Sequence, residues 1–63
     1  MDDVRARLSS ATTSLTELVE SVSAAAEGAL ASGDESMATD LFEVERALRT
    51  ALRRLTAVSR RPR

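Results

Sequence analysis

Ala31-Ser32-Gly33-Asp34-Glu35 is the stretch of this 63-residue sequence that predicts a turn. Gly33 is suited to the left-handed backbone conformation that closes a helix at its C-terminus. Ser32 and Glu35 have the S-x-x-E spacing of a capping box, in which the Ser32 hydroxyl accepts from the backbone N–H of Glu35. Asp34 and Glu35 also place negative charge at the positive end of a following helix dipole. The sequence therefore predicts two helices joined by one short connection.

On both sides of this turn, apolar residues recur at alternating steps of four and three. Such steps average 3.5 residues, the period that keeps one side of a helix facing a neighbour in a coiled coil. We expect a helix over about 3–31, a turn over about 32–34, a helix over about 34–59 and a frayed basic tail over 60–63. At ~1.5 Å per residue each helix is roughly 40 Å long. Matched helices with a short loop predict a single all-α domain, residues 1–63, folded as an antiparallel hairpin.

Heptad lettering identifies the residues expected at helix–helix contacts. Position a holds Leu8, Leu15, Val22, Ala29, Leu41, Leu48 and Leu55. Position d holds Val4, Ala11, Leu18, Ala25, Met37, Val44, Ala51 and Val58. From these two rows we predict an association core of Leu8, Leu15, Leu18, Val22, Leu41, Val44, Leu48 and Leu55. Position e adds Val19, Ala26 and Leu52, which widens the apolar stripe to the pattern of a bundle in which each helix has two neighbours.

Chain length limits the core that one copy can build. Below ~70–80 residues a single core rarely contributes more than ~3–5 kcal/mol, and natural chains this short usually add disulfides, a metal or a partner subunit. The sequence has no Cys and no His, which excludes disulfides and the usual zinc sites. We therefore expect the hairpin to form a four-helix bundle as a homodimer. A helical partner protein that supplies the other two helices, or a higher oligomer, would fit the same pattern.

The residue inventory argues against catalysis and against a membrane span. The chain has no His, Cys, Lys or Tyr, which supply most general bases and activated nucleophiles. The inward rows carry no carboxylates of the kind that a di-metal bundle needs. No stretch approaches 18 consecutive apolar residues, and the first residues lack a secretory signal pattern. We predict a non-enzymatic, cytoplasmic protein with no cofactor, no metal, no small-molecule substrate and no membrane partner.

Basic residues concentrate at the end of the second helix. From position 46 onward there is no acidic residue, and the arginines are Arg46, Arg49, Arg53, Arg54, Arg60, Arg61 and Arg63. Three of them share position f, so they form one outward row that could meet phosphates or an acidic protein. The same row could equally be a solvated face that complements the negative end of the helix dipole and pairs with nearby glutamates. The residues predicted to dock a partner are Phe42, Arg46, Arg49, Arg53 and Arg60.

Two further features allow alternative interpretations. Phe42 lies at position b, where it could cover the rim of the core or project outward as an aromatic anchor beside the arginines. The hydroxyl-rich run 9–16 follows Arg7 and could be phosphorylated, which would disturb packing. The leading hypothesis for function is a small adaptor or regulatory module that acts by helix-on-helix association. The alternatives are a nucleic-acid-associated protein that contacts phosphates through the arginines, and a structural subunit of a larger assembly.

Overall fold

The computed structural model describes residues 3–62, and within that range it contains helix α1, Asp3–Ala31, and helix α2, Glu35–Ser59. The two helices pack against each other in a rod-shaped hairpin of 50 × 15 × 10 Å. The Arg5 guanidinium donates to the carbonyl oxygens of Ser59 and Arg61, at 3.2 and 3.0 Å, so the start of α1 contacts the end of α2. The predicted all-helical hairpin is confirmed for these residues, whereas its association into a four-helix bundle remains a prediction.

The turn is a Schellman motif followed directly by a helix N-cap. Gly33 has a φ of 88°, as predicted, and its N–H donates to the Leu30 carbonyl at 3.1 Å. The Asp34 N–H reaches back to the Ala29 carbonyl at 2.9 Å, which completes the pair of bonds that defines the motif. The Asp34 carboxylate then accepts from the backbone N–H of Met37 at 3.1 Å and caps α2. One residue therefore ends the turn and begins the second helix.

The capping box predicted on Ser32 and Glu35 is wrong. The Ser32 hydroxyl donates to the Ala29 carbonyl at 3.0 Å, and Asp34 is the residue that caps α2. The physical reason is the position of Gly33, whose left-handed conformation leaves Ser32 attached to the C-terminal turn of α1. From there its side chain faces the carbonyls of the last turn of α1 rather than the N–H groups of α2.

The backbone after α2 makes hydrogen bonds through Arg61, and the frayed tail expected over 60–63 remains a prediction. The Arg60 N–H donates to the Thr56 carbonyl at 3.1 Å, and the Arg61 N–H donates to the Val58 carbonyl at 3.1 Å. Arg5 binds the Arg61 carbonyl from the other helix. The open end of the hairpin is therefore closed by Arg5 across the two termini, and Arg63 lies outside the described residues.

The interface inside the hairpin follows heptad positions a and e. Among the described residues four apolar ones are buried, Val19, Ala26, Ala29 and Ala38, and three of them occupy position e. The remaining a residues are half-buried, and so are Thr12, Glu45, Leu52 and Ser59 at position e. All position d residues are exposed. Row e, which the sequence predicts only as a widening of the apolar stripe, therefore forms half of the contact between the two helices.

Small residues beside the turn account for this choice of rows. Ala26 is fully buried and Ala38 is nearly so, and these two alanines lie on opposite sides of the turn. Since alanine side chains let helix axes approach closely, the tight turn brings the two alanine-bearing surfaces together. That contact fixes the rotation of each helix about its axis, and row e then faces inward at every position except Arg5, which is exposed.

The half-buried polar side chains at position e are satisfied within their own helix. The Thr12 hydroxyl donates to the Leu8 carbonyl at 2.8 Å, and the Ser59 hydroxyl donates to the Leu55 carbonyl at 3.0 Å. Glu45 forms an ion pair with Arg49, with 2.8 Å between the carboxylate and the guanidinium. Within residues 3–62 no buried side-chain nitrogen or oxygen lacks a hydrogen-bond partner. Row e can therefore pack inward although it is partly polar.

Candidate functional site

Rows a and d form an apolar face along the hairpin, which consists of the fifteen residues assigned above to these two rows. Row d carries no polar or charged side chain, and every member of it is exposed. Among the described residues, five of the seven exposed large apolar side chains belong to row d, namely Val4, Leu18, Met37, Val44 and Val58. A contiguous exposed apolar surface of this kind marks an interaction site in a small protein.

The two d rows lie on the same side of the hairpin because the helices are antiparallel. Around a heptad helix the order of positions is a-e-b-f-c-g-d, so row d borders row a on one side and row e borders it on the other. Reversing the direction of α2 reverses this order in projection, and both helices use rows a and e to contact each other. Row d of α1 and row d of α2 therefore point to the same side, while both b rows point to the opposite side.

The size of this surface is that of a protein interface. The hairpin is 50 Å long and 15 Å wide across its two helices. One side of it thus offers about 750 Å² per copy, close to the ~800 Å² per partner of a standard-size interface. Of the predicted association core, Leu18 and Val44 are exposed on this side. The other six members, Leu8, Leu15, Val22, Leu41, Leu48 and Leu55, are half-buried in row a, between row d and the contact inside the hairpin.

A second surface, the arginine groove, lies on α2 and faces away from row d. Its volume is about 540 Å³, and its lining residues are Phe42, Glu45, Arg46, Arg49, Thr50 and Arg53. These residues occupy positions b, c, e and f, which are on the opposite side of the helix from row d. The structure thus brings together four of the five residues predicted to dock a partner, while Arg60 lies one to two turns beyond the groove.

The charges in the arginine groove are only partly paired. Arg49 donates to the Glu45 carboxylate from Nε at 2.9 Å and also forms the ion pair through Nη2. Arg53 makes a long contact of 3.4 Å with the Thr50 hydroxyl, and within residues 3–62 no carboxylate pairs with Arg46 or Arg53. Phe42 is 37% exposed at one end of the groove. The groove therefore offers two guanidinium groups and one aromatic ring to a partner.

The hydroxyl-rich run of α1 lies at the open end of the hairpin. Ser9, Thr12 and Thr13 line a cleft of about 310 Å³, together with Arg5, Leu8 and Ser59. The Thr12 and Thr16 hydroxyls donate to carbonyls one turn earlier, at 2.8 and 2.9 Å. The Arg5 guanidinium is already bound to two backbone carbonyls. In this cleft Arg5 thus bonds across the open end of the hairpin while Thr12 bonds within α1, and phosphorylation of the run remains a prediction.

Residues 3–62 contain neither a candidate membrane span nor a candidate metal site. No helix in this range is long and apolar enough to cross a membrane. No group of three or more His, Cys, Asp or Glu residues in this range is placed to hold a metal ion. Comparison of the chain with protein-family models, with curated proteins and with solved structures gave no match.

Proposed function

We propose that this protein is a non-enzymatic interaction module that acts by helix-on-helix association through its apolar face. The observation that carries the proposal is row d, an uninterrupted line of exposed apolar side chains on both helices. Docking two further helices on this face would complete a four-helix bundle, the architecture in which rows a, d and e are all covered. Those helices come from a second copy of the chain or from a helical partner protein.

Stability gives a second reason for association. Among residues 3–62 the buried residues of one hairpin are a single valine and three alanines, and no large side chain in this range is fully buried. Burying an apolar surface contributes about 25 cal/mol for each Å² removed from water. The seven half-buried or buried side chains of row a and the eight of row d are the apolar surface still available for this purpose. Association therefore supplies a core that one hairpin lacks.

A matched pair of leucine substitutions tests this proposal. Leu18 lies on the apolar face and is 49% exposed, whereas Leu30 is 53% exposed and lies at position b on the other side. Arginine resembles leucine in helix propensity, so Leu18→Arg and Leu30→Arg perturb the isolated helix to a similar, small extent. We expect sedimentation equilibrium to show that Leu18→Arg abolishes association and Leu30→Arg leaves it intact. Equal behaviour of the two variants would contradict the proposal, and a wild-type chain that stays monomeric at millimolar concentration would contradict self-association and leave only a helical partner protein as the ligand of the apolar face.

A second proposed activity is the binding of an acidic protein segment in the arginine groove. The supporting observation is that Arg46 and Arg53 flank Phe42 around one groove and have no ion-pair partner within the described residues. Arginine and aromatic residues are enriched at the centres of protein interfaces. Because the groove lies on the side opposite row d, it stays accessible when the apolar face is covered.

The same arginines could instead contact nucleic-acid phosphates, and salt dependence separates the two ligands. Phosphate binding by several arginines weakens steeply between about 50 and 200 mM salt, since it releases condensed counterions. We would titrate a fluorescent glutamate-rich helical peptide with an apolar anchor residue, and labelled duplex DNA, at both salt concentrations. Binding of the peptide at both concentrations, without DNA binding at the lower one, supports the acidic-protein ligand. DNA binding that disappears at the higher concentration supports the nucleic-acid ligand.

A further inference from the structure

Charge is distributed unequally along the hairpin. The turn-proximal segment, residues 24–44, contains five acidic residues and no basic one, namely Glu27, Asp34, Glu35, Asp40 and Glu43. The open-end segments, residues 3–13 and 53–62, contain six arginines and a single acidic residue, Asp3. These arginines are Arg5, Arg7, Arg53, Arg54, Arg60 and Arg61. One end of the 50 Å rod is therefore strongly negative and the other end strongly positive.

From this asymmetry we propose that the partner on the apolar face is a second copy of the chain, docked with its turn at the opposite end. The inference rests on the proposed function, because it requires the apolar face to be an association surface. A two-fold axis perpendicular to the rod places the acidic turn segment of each copy over the arginine-rich open end of the other. A two-fold axis along the rod would instead bring six arginines of one copy against six of the other. Opposite charges favour the first arrangement, and like charges oppose the second.

The rim of the apolar face carries the same complementarity at the level of single residues. Position g borders row d, and in α2 this position is occupied by Asp40, Ala47 and Arg54. Asp40 and Arg54 are each seven residues from Ala47. When α2 packs antiparallel on its own copy around Ala47, Asp40 of each copy is opposite Arg54 of the other. Within residues 3–62 neither side chain has an ion-pair partner in its own chain.

Helix α1 can also pack antiparallel on its own copy in this dimer. Position g of α1 holds Ser14, Ser21 and Gly28 through the middle and the turn-proximal part of the helix. No atom lies within 4 Å of a Cβ placed on Gly28, so the backbone is open to a neighbour there. These small, uncharged residues let α1 approach its own copy closely. With the two-fold axis along the rod, α1 of one copy would instead pack on α2 of the other. Arg7 would then be level with Arg61 of the second copy, and Asp40 would be level with Gly28 of the second copy.

Heptad register is preserved in this dimer. Antiparallel helices form layers in which position a of one helix meets position d of the other. Around the same two-fold axis Leu48 is opposite Val44 of the second copy, and Val22 is opposite Leu18 of the second copy. The available area of about 750 Å² per copy meets the size of a standard interface. The face-to-face dimer covers row d completely and leaves one arginine groove on each outer side.

Charge exchange at the rim tests the arrangement. We expect Asp40→Arg and Arg54→Asp, made singly, each to raise the dimer dissociation constant about tenfold or more, because every rim pair then becomes repulsive. The double variant with both substitutions should return to within about threefold of the wild type. The matched control carries Asp3→Arg and Arg46→Asp, at positions c and f away from the apolar face. It should leave the dimer dissociation constant within threefold of the wild type. Sedimentation equilibrium at about 50 mM salt measures all of these constants.

A distance between the two turns tests the orientation independently. The chain has no cysteine, so Ser32→Cys at the turn gives a single site for a spin label. Opposite ends place the two labels about 40 Å apart, the length of the hairpin helices, whereas turns at the same end place them within about 20 Å. Double electron–electron resonance distinguishes the two.

The outcomes separate this inference from the function on which it rests. Two outcomes overturn the orientation and leave the interaction module standing. One is a dimer that depends on Leu18 but has its labels within about 20 Å, and the other is single charge exchanges that do not change dimerisation. A species of four or more chains overturns the two-copy arrangement. A wild-type chain that stays monomeric contradicts both the dimer and self-association through the apolar face. Labels about 40 Å apart, together with rescue by the double exchange, support the inference.

Discussion

Rows d and e border the same row a on both helices, but row e packs inside the hairpin while row d is exposed. The half-buried part of row e includes Thr12, Glu45 and Ser59, whereas row d is apolar at every position. The hairpin thus buries the more polar of the two rows and leaves the more apolar one in water. For an isolated hairpin this is the less favourable choice, since apolar surface is what burial stabilises. The difference supports the proposal that a further pair of helices covers row d.

The two rows also differ in side-chain size beside the turn. Row e has Ala26 and Ala38 there, and both are buried. Row d has Ala25 and Met37 at the corresponding positions, and both are exposed. A methionine would hold the two helix axes farther apart than the turn allows, whereas a pair of alanines does not. The contact inside the hairpin is therefore selected by close approach, and the outer contact is left to larger side chains.

The largest effect is expected where the two contacts share a residue. Leu48 lies in row a, between the two rows, and is half-buried in the hairpin. Leu48→Asp places an unpaired carboxylate in both contacts, and leaving a buried charge unpaired costs roughly 3–5 kcal/mol. We expect the variant to lose its helical circular dichroism signal and to sediment as a monomer. Thr50→Asp, on the outward side of the same helix, is the control and should remain folded. A folded, associated Leu48→Asp variant would show that row a is not part of either contact.

An intermediate effect is expected for a change confined to row e. Ala26 is 0% exposed, and Ala26→Leu inserts a large side chain where the two helices are closest. Overpacking of this kind costs typically about 1–3 kcal/mol. Ala24→Leu adds the same side chain two residues earlier, at an exposed outward position, and should change the unfolding free energy by less than about 0.5 kcal/mol. Urea denaturation measures both. If Ala24→Leu proves as destabilising as Ala26→Leu, row e does not form the inner contact.

Much of the fold could be predicted from the sequence because its determinants are local. The break in the four-three alternation and Gly33 locate the turn, and a hairpin is the simplest arrangement of two matched helices. The choice between rows d and e was not predictable in the same way. Both rows are consistent with the same period, and the decision depends on how the turn rotates each helix. The alanines on both sides of the turn were the available signal, since small residues mark close approach.

The candidate site shows the same division. Phe42, Arg46, Arg49 and Arg53 could be grouped from sequence because they lie one turn apart on a single helix. The apolar face could not be separated from the inner contact until the burial of each row was known. The charge asymmetry between the turn and the open end is visible only after the chain is folded back on itself. In the linear sequence the acidic residues of the turn occupy the middle of the chain, between two basic ends.

The smallest effect on folding is expected for a change outside both rows. Arg53 lies at position f, is exposed, and lines the arginine groove. Arg53→Asp should change the unfolding free energy by no more than about 0.5 kcal/mol, as is usual for surface substitutions. Its distance from the apolar face should also keep dimerisation within about twofold, because charges more than about 8 Å apart are largely screened at physiological salt. The same variant should bind the glutamate-rich peptide at least tenfold more weakly, which fluorescence anisotropy measures, while Leu30→Arg binds it normally. Loss of folding in Arg53→Asp would mean that the stability of the hairpin depends on the arginine groove as well as on rows a, d and e. The separation of the folding surfaces from the binding surface would then be wrong.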